Sequence, residues 1–115
     1  MGRRPHREPG EVDPALRGRV AEMQRRAFEL QLAAGDAAEN ELLSGGVAAR
    51  LGEVAIPALV IVGALDCDDM QAIAARLEDQ IPGAEGARLD ATAHVPSMER
   101  PQQFDRLVLG FLARP

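Results

Sequence analysis

The stretch "IPALVIVGALD", residues 56–66, decides the fold. After Pro57 it is apolar and partly β-branched, with no polar residue before Asp66. An uninterrupted apolar run of this kind is typical of a parallel strand that is covered on both faces, whereas a half-exposed strand alternates with polar residues. The sequence therefore predicts a central strand, with an acidic loop over residues 63–69 at its carboxyl end.

Helix and strand signals alternate after this loop. Apolar spacing predicts a helix over residues 70–81, and "GARLDA", residues 86–91, predicts a weaker strand. Pro101 then begins a helix with one apolar face, formed by Phe104, Leu107, Val108, Phe111 and Leu112. Residues 57–115 therefore predict a right-handed βαβα unit with two parallel strands, which belongs to the α/β class.

The region upstream of this unit contains one long helix signal. Residues 1–13 are polar and rich in Arg, Pro and Gly, so we expect a flexible arm in which His6 is solvated. Asp13 followed by a proline marks a helix start, and residues 14–35 form a helix that ends at a glycine. Residues 36–56 form a connector. We interpret the apolar stripe of the helix as a core face rather than a membrane or partner surface: Leu16, Val20, Met23, Ala27, Leu30 and Ala34.

Composition excludes several classes of function. The chain has 115 residues, a net charge of -5 and neither Trp nor Tyr, which disfavours nucleic acid as a partner. No apolar run is long enough for a membrane span, and the amino terminus has no apolar segment typical of a signal peptide. The single cysteine, Cys67, suits a reducing compartment. We therefore expect a cytoplasmic protein that binds neither nucleic acid nor membrane.

Asp66 and His94 are candidates for a catalytic pair. Each follows a predicted strand, in the loops at residues 63–69 and 91–101. Adjacent strands lie about 4.8 Å apart, so side chains at neighbouring carboxyl ends can meet. A carboxylate that accepts from one imidazole nitrogen fixes the tautomer and leaves the other nitrogen available as a general base.

Each of these residues also has a purely structural interpretation. Asp66 is also suited to a turn or helix N-cap, and His94 to a surface position that caps a turn. Asp68 and Asp69 are expected to favour the start of the next helix rather than bind a metal, because the acidic cluster lacks the spacing of a calcium loop. Cys67 has no basic neighbour in sequence that would activate its thiol. We expect neither a metal nor a cofactor.

The strand and the segment "AHVPSMERPQQFDRLVLGFL", residues 93–112, together resemble the C-terminal end of an α/β-hydrolase of the esterase and enol-lactonase-like kind. In that family the Gly-x-x-Asp after the strand supplies the acid of a catalytic triad, and the His before Pro-x-x-Glu-x-Pro supplies the base. These positions are Asp66 and His94. The resemblance is strongest from about residue 50 onward and makes residues 14–35 a cap-like helix. It implies a partial α/β-hydrolase fold and hydrolysis of an ester, lactone or related carbonyl compound.

The sequence departs from this family at the nucleophile. It has no G-x-S-x-G elbow, and its only serines are Ser44 and Ser97. We therefore expect a hydrolase-family chain that carries only the acid and the histidine and is inactive alone, taking a small carbonyl substrate only when a nucleophile-bearing half completes it. The other hypothesis is a non-catalytic module whose open sheet edge docks on a partner chain or a second copy. An in-frame G-x-S-x-G upstream of Met1 would favour the first.

Overall fold

A computed structural model describes residues 6–35 and 46–115. The first long helix, α1, spans Pro14–Ala34 and begins as predicted, since Asp13 accepts a hydrogen bond from the backbone N–H of Ala15 at 3.2 Å. Gly35 ends the helix with a φ of 60°, in the left-handed region that favours glycine. Part of the predicted connector, residues 36–45, lies outside the described residues, and its remainder contains short 3₁₀ turns at Val47–Ala49 and Leu51–Glu53.

The expectation that α1 turns its apolar stripe to a core is wrong. None of its residues is buried, and Met23 and Leu30 are more than half exposed. Only Leu16 and Val20, near the start of the helix, are partly covered. The periodicity of a helix identifies the face that is apolar, but it does not supply a surface to cover that face. The other described elements do not extend along the helix beyond its first turns.

The predicted βαβα order is confirmed. Strand β1, Leu59–Gly63, pairs in parallel with strand β2, Glu85–Leu89, and helix α2, Asp68–Gln80, connects them. A short helix α3, Pro96–Glu99, follows β2, and helix α4, Pro101–Leu112, completes the chain. The structure is therefore α/β, with two parallel strands. No helix within these described ranges is long and apolar enough to cross a membrane.

A small core lies between the sheet and α2. Its buried apolar residues are Leu51, Val62, Ala74, Ile81 and Leu89. The amino-terminal residues of β1 are only half-buried, and β2 is its partner in the described part of the chain. The prediction of a central strand covered on both faces is thus not met by these residues. The apolar run of β1 requires more cover than the described elements provide.

Among the described residues, the edge of β1 opposite β2 pairs with no strand, and we expect the isolated chain to self-associate through it, because an unpaired apolar edge favours pairing with another chain. Sedimentation across a range of concentrations tests this expectation. Val60→Lys places a charge on the half-buried strand and should shift the chain toward monomer, whereas Leu112→Lys, at an exposed position on α4, should not. A strictly monomeric chain with a sharp melt above about 60 °C, at the upper end for mesophile domains, would contradict the expectation.

Candidate active site

The carboxyl ends of β1 and β2 continue into two loops that are bonded to each other. Gly63 is in register with Leu89, and the backbone N–H of Ala64 donates to the Leu89 carbonyl at 2.9 Å. The N–H of Leu65 donates to the Thr92 carbonyl at 2.8 Å. The register of the parallel pair therefore extends beyond the strands and fixes the loop of Asp66 beside the loop of His94.

The structure brings the two predicted site residues together. Nδ1 of His94 lies 2.9 Å from Oδ2 of Asp66, and the other carboxylate oxygen, Oδ1, accepts from the backbone N–H of Cys67 at 2.8 Å. An ionised carboxylate only accepts hydrogen bonds, so this contact suits the imidazole tautomer that has its hydrogen on Nδ1. The predicted contact is confirmed. The catalytic roles of the two residues stay a prediction.

Burial differs sharply between the two partners. The side chain of Asp66 is 10% exposed and that of His94 is 70% exposed. A buried carboxylate holds the inner edge of the ring in one orientation, and the second ring nitrogen, Nε2, remains accessible to a reacting group. A cavity of about 300 Å³ adjoins the pair, and its walls come from β1, α2 and the His94 loop, including Val60, Met70, Ile73, Leu77 and Pro96. The arrangement is suited to a general base beside a partly apolar cavity.

Gly63 permits the close contact between the two loops. A Cβ added there would overlap the carbonyl oxygens of Thr92 and Ala93 and would lie 2.7 Å from the Thr92 carbonyl carbon. Thr92 itself is completely buried, and its hydroxyl donates to the Asp90 carbonyl at 2.8 Å. The glycine of the Gly-x-x-Asp pattern therefore allows backbone to pack on backbone directly below the Asp66–His94 pair.

Sequence reasoning missed a second group of residues around this site. Glu99, at the end of α3, accepts from the backbone N–H of Ala93 at 2.9 Å and forms an ion pair with Arg7. Arg7 belongs to the stretch expected to be a flexible arm, and it lies 92 positions from Glu99. Glu99 was detectable only as one position of the Pro-x-x-Glu-x-Pro pattern. No local signal indicated Arg7.

His6 is exposed, as expected, but it also has hydrogen-bond partners that the sequence did not indicate. Its Nε2 lies 2.6 Å from Oδ1 of Asp68, and its backbone N–H donates to the Leu65 carbonyl at 3.3 Å. The side chain is half exposed. Asp68 and Asp69 occupy the first turn of α2, as predicted, and the N-cap residue is Cys67, whose side chain makes no capping hydrogen bond. The boundary of an arm at residues 1–13 remains a prediction.

The remaining candidate nucleophiles are two serines and one cysteine. Ser97 is exposed on α3, and Ser44 lies outside the described residues. Cys67 is a free, half-buried thiol. Among the residues that the structure describes, no cluster of three or more His, Cys, Asp or Glu side chains is arranged to hold a metal ion.

Three solved structures resemble the chain. MenH from S. aureus is 31% identical with a TM-score of 0.56, over 58% of this chain and 25% of that one. Est816, described as an N-acyl homoserine lactone degrading enzyme, is 32% identical with a TM-score of 0.56, over 70% and 31%. The carboxylesterase CesB from Bacillus subtilis is 25% identical with a TM-score of 0.55, over 66% and 27%. The chain thus spans 25–31% of the length of these structures. No protein-family model and no curated protein matches the sequence.

Proposed function

Because the chain carries part of an α/β-hydrolase fold, we propose that it supplies the acid and the histidine of a carbonyl hydrolase that uses Ser-His-Asp chemistry. The contact between Asp66 Oδ2 and His94 Nδ1, at 2.9 Å, carries the proposal. It joins a buried carboxylate to an exposed imidazole at adjacent carboxyl ends of parallel strands. Asp66 is the residue that orients the ring, and His94 is the general base.

The proposed reaction follows from the tautomer. With the hydrogen on Nδ1, Nε2 takes the proton of a serine hydroxyl as its oxygen attacks the carbonyl carbon of an ester or lactone. The carbon–oxygen bond to the leaving group then breaks, and Nε2–H returns the proton to the departing alkoxide. In the second half of the reaction, Nε2 takes a proton from water as the water oxygen attacks the acyl-serine. The acyl–serine bond then breaks, and Nε2–H returns the proton to the serine oxygen. Asp66 stabilises the imidazolium that forms each time.

The serine in this scheme comes from a nucleophile-bearing half outside this sequence, which has no G-x-S-x-G elbow. Residues 57–115 form the C-terminal βαβα unit of the proposed hydrolase, and residues 14–35 form its cap-like helix. The substrate is a small ester, lactone or related carbonyl compound. We place the protein in the cytoplasm, which the free thiol of Cys67 supports.

A chimera tests the proposed function. This chain replaces the matched 31% of Est816, and turnover of an N-acyl homoserine lactone is measured. We expect the chimera to hydrolyse the lactone, and His94→Gln to lower kcat by about 10⁴-fold or more, because removal of the base disables the whole triad. His6→Gln is the matched control, since His6 is the only other histidine of the chain, and it should leave kcat nearly unchanged.

The isolated chain provides the second arm of this test. It should hydrolyse activated aryl esters no faster than its His94→Ala variant, because the sequence has no G-x-S-x-G elbow, which carries the serine and one N–H of the oxyanion hole. A folded chimera without turnover, or one in which the two histidine substitutions have equal effects, would contradict the proposed function. Rapid turnover by the isolated chain that depends on His94 would show that the nucleophile lies within the chain.

The other candidate function is a non-catalytic interaction module. The half-buried, apolar β1 favours it, since β2 is its sheet partner in the described part of the chain. If the chain is an interaction module, a partner chain or second copy should bind with the same affinity to the wild-type chain and to His94→Ala. If it is part of a hydrolase, a chain that binds at this edge should also restore activity that depends on His94.

A further inference from the structure

The part of the His94 loop that directly follows β2 is held by contacts with the loop that follows β1. The Thr92 carbonyl accepts from the N–H of Leu65, and Thr92 is completely buried. The preceding residue, Ala91, has a φ of 50°, which is unusual for a residue other than glycine. The chain therefore turns sharply after β2 and meets the backbone at Gly63. These contacts fix the loop as far as Thr92, two positions before His94.

The side chain of Glu99 holds the peptide directly before His94, while Arg100 donates to the Ala91 carbonyl at 3.3 Å earlier in the loop. Oε2 of Glu99 accepts from the N–H of Ala93 at 2.9 Å, and only 4% of the Glu99 side chain is exposed. The other oxygen, Oε1, forms an ion pair with Arg7, whose side chain is 15% exposed. A buried carboxylate without partners is strongly unfavourable, so a cation from the amino-terminal segment compensates the charge of Glu99.

We propose that Glu99 is a positioning residue that sets the orientation of His94, with Arg7 as its charge partner. Ala93 immediately precedes His94, so a shift of its peptide moves the imidazole against Asp66. A hydrogen bond at 2.9 Å weakens strongly when its atoms move apart by about 1 Å, and a misplacement of that size can cost about 10²-fold in rate. The inference rests on the proposed function only for the catalytic importance of that orientation.

Two double variants isolate the hydrogen bond from the ion pair. Arg7→Met with Glu99→Met removes the acceptor for the Ala93 N–H, and Arg7→Met with Glu99→Gln retains an acceptor in the amide oxygen. Both lack the cation and the carboxylate, and both preserve side-chain volume. Replacing a buried ion pair by apolar groups of similar volume is often neutral for stability. The two variants therefore differ mainly in whether the Ala93 N–H has an acceptor.

The readout is the tautomer of His94 in the folded chain. Ring ¹⁵N chemical shifts of the neutral imidazole report which of its two nitrogens carries the hydrogen. We expect the hydrogen on Nδ1 in the wild type and in the Gln double variant, and its loss from Nδ1 in the Met double variant. Asp66→Asn provides the reference for complete loss, and His94→Gln identifies the signals of His6, the other histidine.

The outcomes separate this inference from the proposed function, since the tautomer is read without a serine or turnover. Loss of the Nδ1 hydrogen in the Met double variant alone supports the positioning role. Equal tautomers in both double variants would overturn it, and so would a wild-type chain without the hydrogen on Nδ1. A Met double variant that fails to fold while the Gln variant folds would also overturn it, because it would give Glu99 a general structural role instead.

Discussion

Asp66→Asn in the Est816 chimera is expected to lower kcat for lactone hydrolysis by about 10⁴-fold while the protein stays folded. An asparagine oxygen can still accept from the Cys67 N–H, as Oδ1 of Asp66 does at 2.8 Å. Its amide nitrogen, however, donates toward His94 Nδ1 and so favours the tautomer with the hydrogen on Nε2. That nitrogen can then no longer accept the serine proton. Steady-state kinetics measure the loss, and circular dichroism checks the fold.

Asp68→Asn is the matched control for this substitution. Asp68 lies two positions further along the chain, in the first turn of α2, is exposed and pairs with His6 rather than with His94. Exposed ion pairs contribute at most about 1 kcal/mol, so its loss should leave kcat within a few-fold of the unsubstituted chimera. Equal losses from the two Asp substitutions would mean that the acidity of the loop matters, and not the contact of Asp66 with the imidazole.

Gly63→Ala is expected to destabilise the chain by about 3 kcal/mol or more, above the usual cost of adding a methyl group to a packed site. The added Cβ would overlap the carbonyl oxygens of Thr92 and Ala93, and backbone atoms cannot rotate away as a side chain does. Relief would require the two loops to separate, which also separates Asp66 from His94. Denaturant unfolding measures the free-energy change, and the tautomer of His94 reports the separation.

Gly86→Ala provides a comparison within the same sheet. Gly86 lies in β2 opposite Val60, and the three atoms nearest to a Cβ there would all belong to the carboxylate group of Glu78. That group is the far end of a flexible, exposed side chain, which can move aside. We expect this substitution to cost about 1 kcal/mol or less, in the range of ordinary mutations. Similar costs for the two glycines would show that the loop contact at Gly63 is not tight.

Local sequence patterns were sufficient for much of this architecture. The apolar run at residues 58–62 predicted β1, and Asp13 with Pro14 predicted the start of α1. Both are local features: the first reflects the burial of consecutive residues in a parallel strand, and the second reflects the unpaired N–H groups of a first helical turn. The order of elements then placed Asp66 and His94 at one edge, because parallel strands end on the same side of a sheet.

Tertiary structure alone decided the contacts that have no local signature. The sequence around Arg7 does not indicate that Glu99 is its partner. The two residues are 92 positions apart, so their ion pair depends on how the amino-terminal segment packs against α3. The exposure of α1 could not be predicted from the sequence either. Periodicity identifies the apolar face of a helix, but it does not show whether another element covers that face. Sequence thus determined the elements and the acid–histidine pair through short-range sterics and strand direction. Packing between distant segments determined that Glu99 and Arg7 support the His94 loop, and that α1 and β1 stay partly exposed.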